Sequence, residues 1–118
     1  MAEEDVTVFF NPRCSKCRTV SGLLEERGID AELIEYLQRP PTRTDLERVL
    51  LLLGTDDPRS ITRTGEDRYR ELGLDGADRD VLLDALVANP VLIERPIVMV
   101  GDRAVIARPP ERLLELLD

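Results

Sequence analysis

The sequence has no histidine, a single lysine at Lys16, two cysteines, and no apolar run longer than Val49 to Leu53. Without imidazole, a Ser-His-Asp triad, a Cys-His nucleophile pair, a histidine general base and histidine-ligated zinc are all excluded. The apolar run is far short of the ~20 residues a membrane-spanning helix needs, so no membrane partner is expected. Met1-Ala2-Glu3-Glu4-Asp5 is acidic where a secretory peptide needs a basic start and then an apolar stretch, which predicts no targeting signal and a cytoplasmic location. With 24 carboxylates against 16 basic side chains, the net charge of -8 opposes a phosphate backbone, and nucleic acid is not an expected partner. Chemistry in this chain must therefore use thiol, carboxylate or guanidinium.

At 118 residues the chain is expected to be one domain, 1–118, burying about two thirds of its unfolded surface. Val6 to Phe10 is a β-branched and aromatic run stopped by Asn11-Pro12, and it predicts a buried strand. From Cys14 the spacing becomes helical, with Val20, Leu23 and Leu24 on one side and Gly28 as the stop. Ala31 to Leu37 predicts a second strand, and strand-helix-strand in about thirty residues implies a parallel βαβ unit. Thr44-Asp45-Leu46-Glu47 reads as a capping box opening a helix that Gly54 closes. Residues 55–78 read as short helical turns and loops, and Asp80 to Ala88 as another helix. Ile97 to Val100 and Ala104 to Ile106 flank Gly101-Asp102 and predict a β-hairpin, followed by a terminal helix over Pro110 to Leu117. The expected fold class is α/β: a small mixed sheet with helices on both faces and a helical insertion between the βαβ and ββα halves.

Cys14 falls after a strand and at a helix start, where free N–H groups and the helix dipole favour a thiolate. Arg13, Lys16 and Arg18 lie beside it and act in the same direction. Cys17 completes Cys14-Ser15-Lys16-Cys17, a CxxC whose sulfurs can meet in a disulfide, although an inward cysteine can also simply pack. Zinc fails on ligand count, since no further cysteine or histidine exists, and no metal is expected. Arg95-Pro96 precedes one hairpin strand and Arg108-Pro109 follows the other, so both guanidinium groups can project from one end of the sheet as an oxyanion site. The alternative for each is an ordinary solvated charge.

These segments resemble the glutaredoxin-type arsenate reductase family, in the thioredoxin-like superfamily. The likeness runs through Phe9-Phe10-Asn11-Pro12-Arg13-Cys14-Ser15-Lys16, Tyr36-Leu37 with Pro40-Pro41-Thr42, Arg70-Glu71-Leu72-Gly73-Leu74, Asn89 to Ile97, and Ala107-Arg108-Pro109. The resemblance implies a thioredoxin-like fold, Cys14 as nucleophile on arsenate, and Arg63, Arg95 and Arg108 as the arginines that hold the oxyanion, with Arg59 the alternative to Arg63. Asn11, Arg13, Ser15 and Lys16 form the supporting loop. It further implies a cis Arg95-Pro96 bond, no bound cofactor, and a thiol co-substrate from glutathione and glutaredoxin or a thioredoxin-like system.

Two positions depart from the family pattern: Phe10 stands where many members have histidine, and Cys17 where most have serine. Cys17 thus offers an internal resolving thiol. Spx-type regulators, which share the fold and a CxxC and bind RNA polymerase, are one alternative reading. A general thiol-disulfide oxidoreductase is another.

Overall fold

The computed structural model describes residues 5–117. The acidic start at 1–4, on which the expected lack of a targeting signal rests, lies outside the described residues, as does Asp118. The chain divides into two compact units, one made of 1–39 with 95–118 and the other of 40–94. The expected helical insertion is this second unit.

The first unit holds β1 (Val6–Phe10), α1 (Ser15–Glu26), β2 (Ala31–Glu35), β3 (Ile97–Val100), β4 (Arg103–Ile106) and a terminal 3₁₀ helix (Pro110–Leu116). The strands form one sheet in the order β2-β1-β3-β4. β1 runs parallel to β2, as a βαβ unit requires, and antiparallel to β3, which forms a hairpin with β4. Period-two alternation turns Val6, Val8, Val98, Val100 and Val105 toward one face, where they pack with Val20 and Leu24 of α1 and with Leu113 and Leu116. α1 and the terminal helix therefore cover the same face of this sheet. Phe9 is buried and meets Tyr36 with ring centroids 6.4 Å apart.

Two elements differ from expectation in this unit. β2 ends at Glu35 and does not reach Leu37, because the Gln38 and Arg39 N–H groups both donate to the Glu35 carbonyl at 2.9 Å and close a turn. The turn buries Tyr36 and leaves Leu37 exposed. The terminal helix is 3₁₀ in type. Three residues per turn place Leu113 and Leu116 in line, and both are buried in the core.

The second unit holds α2 (Arg43–Leu53), α3 (Asp67–Glu71), α4 (Arg79–Ala88) and 3₁₀ turns at Pro58–Ile61 and Pro90–Leu92. Leu46, Val49 and Leu50 of α2 are buried, as are Leu82, Leu83 and Leu86 of α4. Arg43 of α2 pairs with Asp80 and Asp84 of α4, the latter at 3.1 Å. Such exposed pairs are screened by water and orient the helices more than they stabilise them. Ile61 to Arg63 lies against Leu92 to Glu94 through an Arg63 N–H bond to the Leu92 carbonyl (2.7 Å) and a Glu94 N–H bond to the Ile61 carbonyl (2.8 Å). These bonds tie the end of the first turn to the exit of the unit.

The capping box of α2 is not the expected Thr44 to Glu47. Thr42 is the N-cap: its hydroxyl accepts from Asp45 N–H at 3.1 Å, and Asp45 accepts from Thr42 N–H at 2.9 Å. Two overlapping boxes are written in this stretch. Pro40-Pro41 resists helical backbone and lets the helix start directly after it, which favours the earlier box. Glu47 instead pairs with Arg43 and Arg79. Thr42→Ala should therefore destabilise the chain by about 1 kcal/mol in denaturant unfolding, whereas Thr44→Ala should leave the midpoint nearly unchanged. Equal losses from the two substitutions would contradict this assignment of the cap.

Candidate functional site

The register of the sheet decides what meets at its edge. Phe9 of β1 faces Ile97 of β3, and Ile97 faces Ile106 of β4. The chain leaves β1 into Asn11 to Cys14, enters β3 from Arg95-Pro96, and leaves β4 into Arg108-Pro109, all at this one end. The hairpin spacing read from the sequence thus brings Cys14, Arg95 and Arg108 to one sheet edge.

A tight turn connects β1 to α1. The Asn11 carbonyl accepts from Cys14 N–H at 2.9 Å, and the Asn11 side-chain Oδ1 accepts from Arg13 N–H at 3.0 Å. Asn suits this place because its side chain mimics a backbone acceptor. Cys14 is then the N-cap of α1 in extended conformation, and its carbonyl accepts the first helical bond from Arg18 N–H at 3.1 Å. Arg18 also donates from Nη1 to the Pro12 carbonyl at 3.0 Å, which braces the turn. Ser15 and Arg13 are exposed and Lys16 is half-buried.

Cys14 is half-buried and Cys17 fully buried, and both are free thiols. Partial burial alone raises the Cys14 pKa. The N–H and thiol of Cys17, the N–H of Lys16 and the charge of Arg95 outweigh it, and the net direction is below the ordinary thiol value. The Sγ closes no capping hydrogen bond in this geometry, so these groups act as dipoles and charges directed at it. Cys17 goes the other way: burial, with the adjacent Cys14 charge, pushes its thiol up to about 12 against the opposing pull of the Asn11 backbone and Arg95. One helix start thus holds an ionisable thiol beside a protonated one.

Arg95 is half-buried, and its Nε is buried with no hydrogen-bond partner. Arg108 donates from Nη1 to the Arg95 carbonyl at 3.0 Å, which fixes the two residues together. Neither makes an ion pair among the described residues, in contrast to Arg43, Arg68 and Arg79. The Arg95-Pro96 bond is cis, as expected, and so is Arg108-Pro109, which was not expected. The repeated Arg-Pro at the two ends of one hairpin was the available signal.

Arg63 lies in the second unit, where it pairs with Glu66 at 3.1 Å and donates to the Val91 carbonyl at 3.3 Å. Arg59 donates to the Leu74 carbonyl (2.7 Å), the Ala77 carbonyl (3.1 Å) and the Tyr69 hydroxyl (3.3 Å), so its guanidinium is committed to holding that loop. Phe10 packs against the valine core of the first unit.

The family model described as the ArsC family matches residues 9–116, nearly the whole chain. The chain belongs to the ArsC family. An arsenate reductase of Neisseria meningitidis serogroup A is 44% identical over 115 residues, covering 96% of this chain and 98% of that protein. The structure of an arsenate reductase from Vibrio cholerae superposes with a TM-score of 0.92 at 39% identity, covering 97% of this chain and 98% of the other. A solved ArsC-type structure from Yersinia pestis is 48% identical with a TM-score of 0.90, covering 94% and 99%. The fold is accordingly the thioredoxin-like α/β fold of the ArsC proteins. Among the described residues, no helix is long and apolar enough to cross a membrane.

The lowered Cys14 value has a sign that can be checked. A group that is more acidic in the native state stabilises the fold fully above its unfolded pKa, and that contribution is lost as pH falls through the native pKa. Alkylation of Cys14 by iodoacetamide should titrate with a midpoint below the ~8.5 of an ordinary thiol, and Arg95→Ala should raise that midpoint. Peptide mass spectrometry across pH reads both, with Cys17 unlabelled in the folded chain; an unshifted Cys14 midpoint would refute the thiolate assignment.

Proposed function

We propose that the chain reduces arsenate to arsenite, with Cys14 as the nucleophile and a thiol as the source of electrons. The observation that carries this reading is a thiol with a depressed pKa sharing a sheet edge with Arg95, whose buried Nε lacks an acceptor. An unsatisfied buried donor costs about 1–3 kcal/mol, and an oxyanion supplies the missing acceptor. The names of the relatives in Neisseria meningitidis and Vibrio cholerae support arsenate as that oxyanion.

In this mechanism the Cys14 thiolate attacks arsenic. An S–As bond forms, and one arsenic oxygen leaves as water after protonation. Arg95 and Arg108 donate to the remaining oxygens and neutralise charge that water would otherwise solvate. Asn11, Arg13, Ser15 and Lys16 hold the loop that presents the sulfur. Arg63 takes a third oxyanion-binding place on the strength of the sequence resemblance. A thiol then attacks the Cys14 Sγ: an S–S bond forms as the S–As bond breaks, its electron pair leaves with arsenic as arsenite, and a second thiol frees Cys14 by exchange, so that two thiols end as one disulfide. The reductant class is glutathione with glutaredoxin or a thioredoxin-like system, and no bound cofactor is required because thiols carry the electrons. The whole of 1–118 works as one reductase domain in this reading.

A coupled assay with purified protein should show arsenate-dependent consumption of reductant that Cys14→Ser abolishes. Arg95→Ala should lower kcat/KM by about 100-fold, and Arg63→Ala and Arg108→Ala by about 10-fold each. Arg95→Lys should recover little of the loss, because an ammonium cannot reproduce the planar fork. No arsenate-dependent turnover with either reductant system, together with capture of the RNA polymerase α C-terminal domain, would replace the reductase reading with that of a redox-regulated binding protein.

A further inference from the structure

No step above consumes the Cys17 thiol, yet its position is specific. Cys14 is the N-cap of α1 and Cys17 its third helical residue. These are the N-cap and N3 positions, so both cysteines belong to one helix start, the placement in which the sulfurs of a CxxC can meet in a disulfide. Cys17 is fully buried beneath a half-buried Cys14, and both are reduced. The Cys17 N–H and thiol favour the Cys14 thiolate, and the positive charge of Arg95 bears on both sulfurs.

We propose that Cys17 is the resolving thiol: it attacks the Sγ of arsenylated Cys14, so that each turnover ends with a Cys14–Cys17 disulfide and requires a dithiol reductant. The proposal rests on the arsenate reading. Adduct formation releases one water. The Cys17 sulfur then forms the S–S bond while the S–As bond breaks, and the electron pair of that bond passes to arsenic, which leaves as arsenite. The Cys17 proton goes to an arsenic oxygen. Two thiols are oxidised to one disulfide as arsenic is reduced by two electrons, and a dithiol of the thioredoxin type restores the thiols by exchange.

The environment of Cys17 orders these steps. While Cys14 is a thiolate, burial and that adjacent charge keep Cys17 protonated, so it does not compete for arsenate. Once Cys14 is bonded to arsenic its thiolate charge is gone, and the share of the Cys17 shift due to it goes too. The field of Arg95, which favours ionisation of Cys17, remains.

The test uses the unaltered chain, fully reduced, freed of small thiols and mixed with arsenate. Arsenite is measured, and the cysteines are mapped by alkylation under denaturing conditions and mass spectrometry. The expected result is about one arsenite per chain, with Cys14 and Cys17 joined and protected from alkylation. A persistent Cys14 adduct with Cys17 free, and arsenite only after an external monothiol is added, overturns the proposal and leaves the arsenate reading intact. No adduct, and no arsenite with any thiol, overturns both. Cys17→Ala and Cys17→Ser, each checked by thermal unfolding, should lower the dithiol-driven rate by about 10-fold or more and affect the monothiol-driven rate less. An unchanged dithiol-driven rate in a folded variant also overturns the proposal.

Discussion

Phe9 faces Ile97 across the antiparallel pair of inner strands, and Ile97 faces Ile106 across the hairpin. That single row of the sheet aligns three chain ends. Everything distinctive about the site hangs on it, because the turn after β1, the entry to β3 and the exit from β4 carry Cys14, Arg95 and Arg108. The row is held by burial: Phe9 and Ile97 are both inaccessible, and a one-residue slip would turn the valines of β1 and β3 away from α1 and the terminal helix. The core therefore specifies the register, and the register places Cys14, Arg95 and Arg108 at one end of the sheet.

The electrostatics of that edge run against the average of the molecule. The net charge of -8 describes a surface rich in carboxylates, some of them paired with arginines of the second unit, as in Arg43 with Asp84 and Arg79 with Asp56. Near Cys14 the balance reverses. Arg95 retains a buried donor without an acceptor, and the backbone N–H groups of α1 add their partial charges. Absence of histidine throws the activation of the thiol onto these groups. Phe10, where a related chain can carry histidine, is absorbed into packing against the valine core.

The arginines show how one residue type serves different ends according to burial and neighbours. Arg59 is spent on two carbonyls and a tyrosine hydroxyl of its own loop. Arg43 bridges two helices, and Arg108 fixes the Arg95 carbonyl. Composition could not separate these uses, since all carry the same charge and most stand in loops or at helix ends.

Local patterns in the sequence determined most of the elements and marked Cys14 as the candidate nucleophile. Alternation marked β1 and the hairpin, helical spacing marked α1 and α4, Gly54 marked the end of α2, and the cysteine after Asn11-Pro12 marked a helix start. These features depend on a few neighbouring residues, so they can be read without the fold. Choices between competing local options needed the tertiary structure. Thr42 prevailed over Thr44 as the cap, β2 stopped at Glu35 where a turn buried Tyr36, and the last helix tightened to 3₁₀ to line Leu113 and Leu116 on the core. The lowered pKa of Cys14 was legible in its helix start, but the raised pKa of Cys17, three residues on, was invisible in the sequence. Burial and the approach of Arg95 from the segment before β3, some eighty residues away, are properties of the folded chain alone.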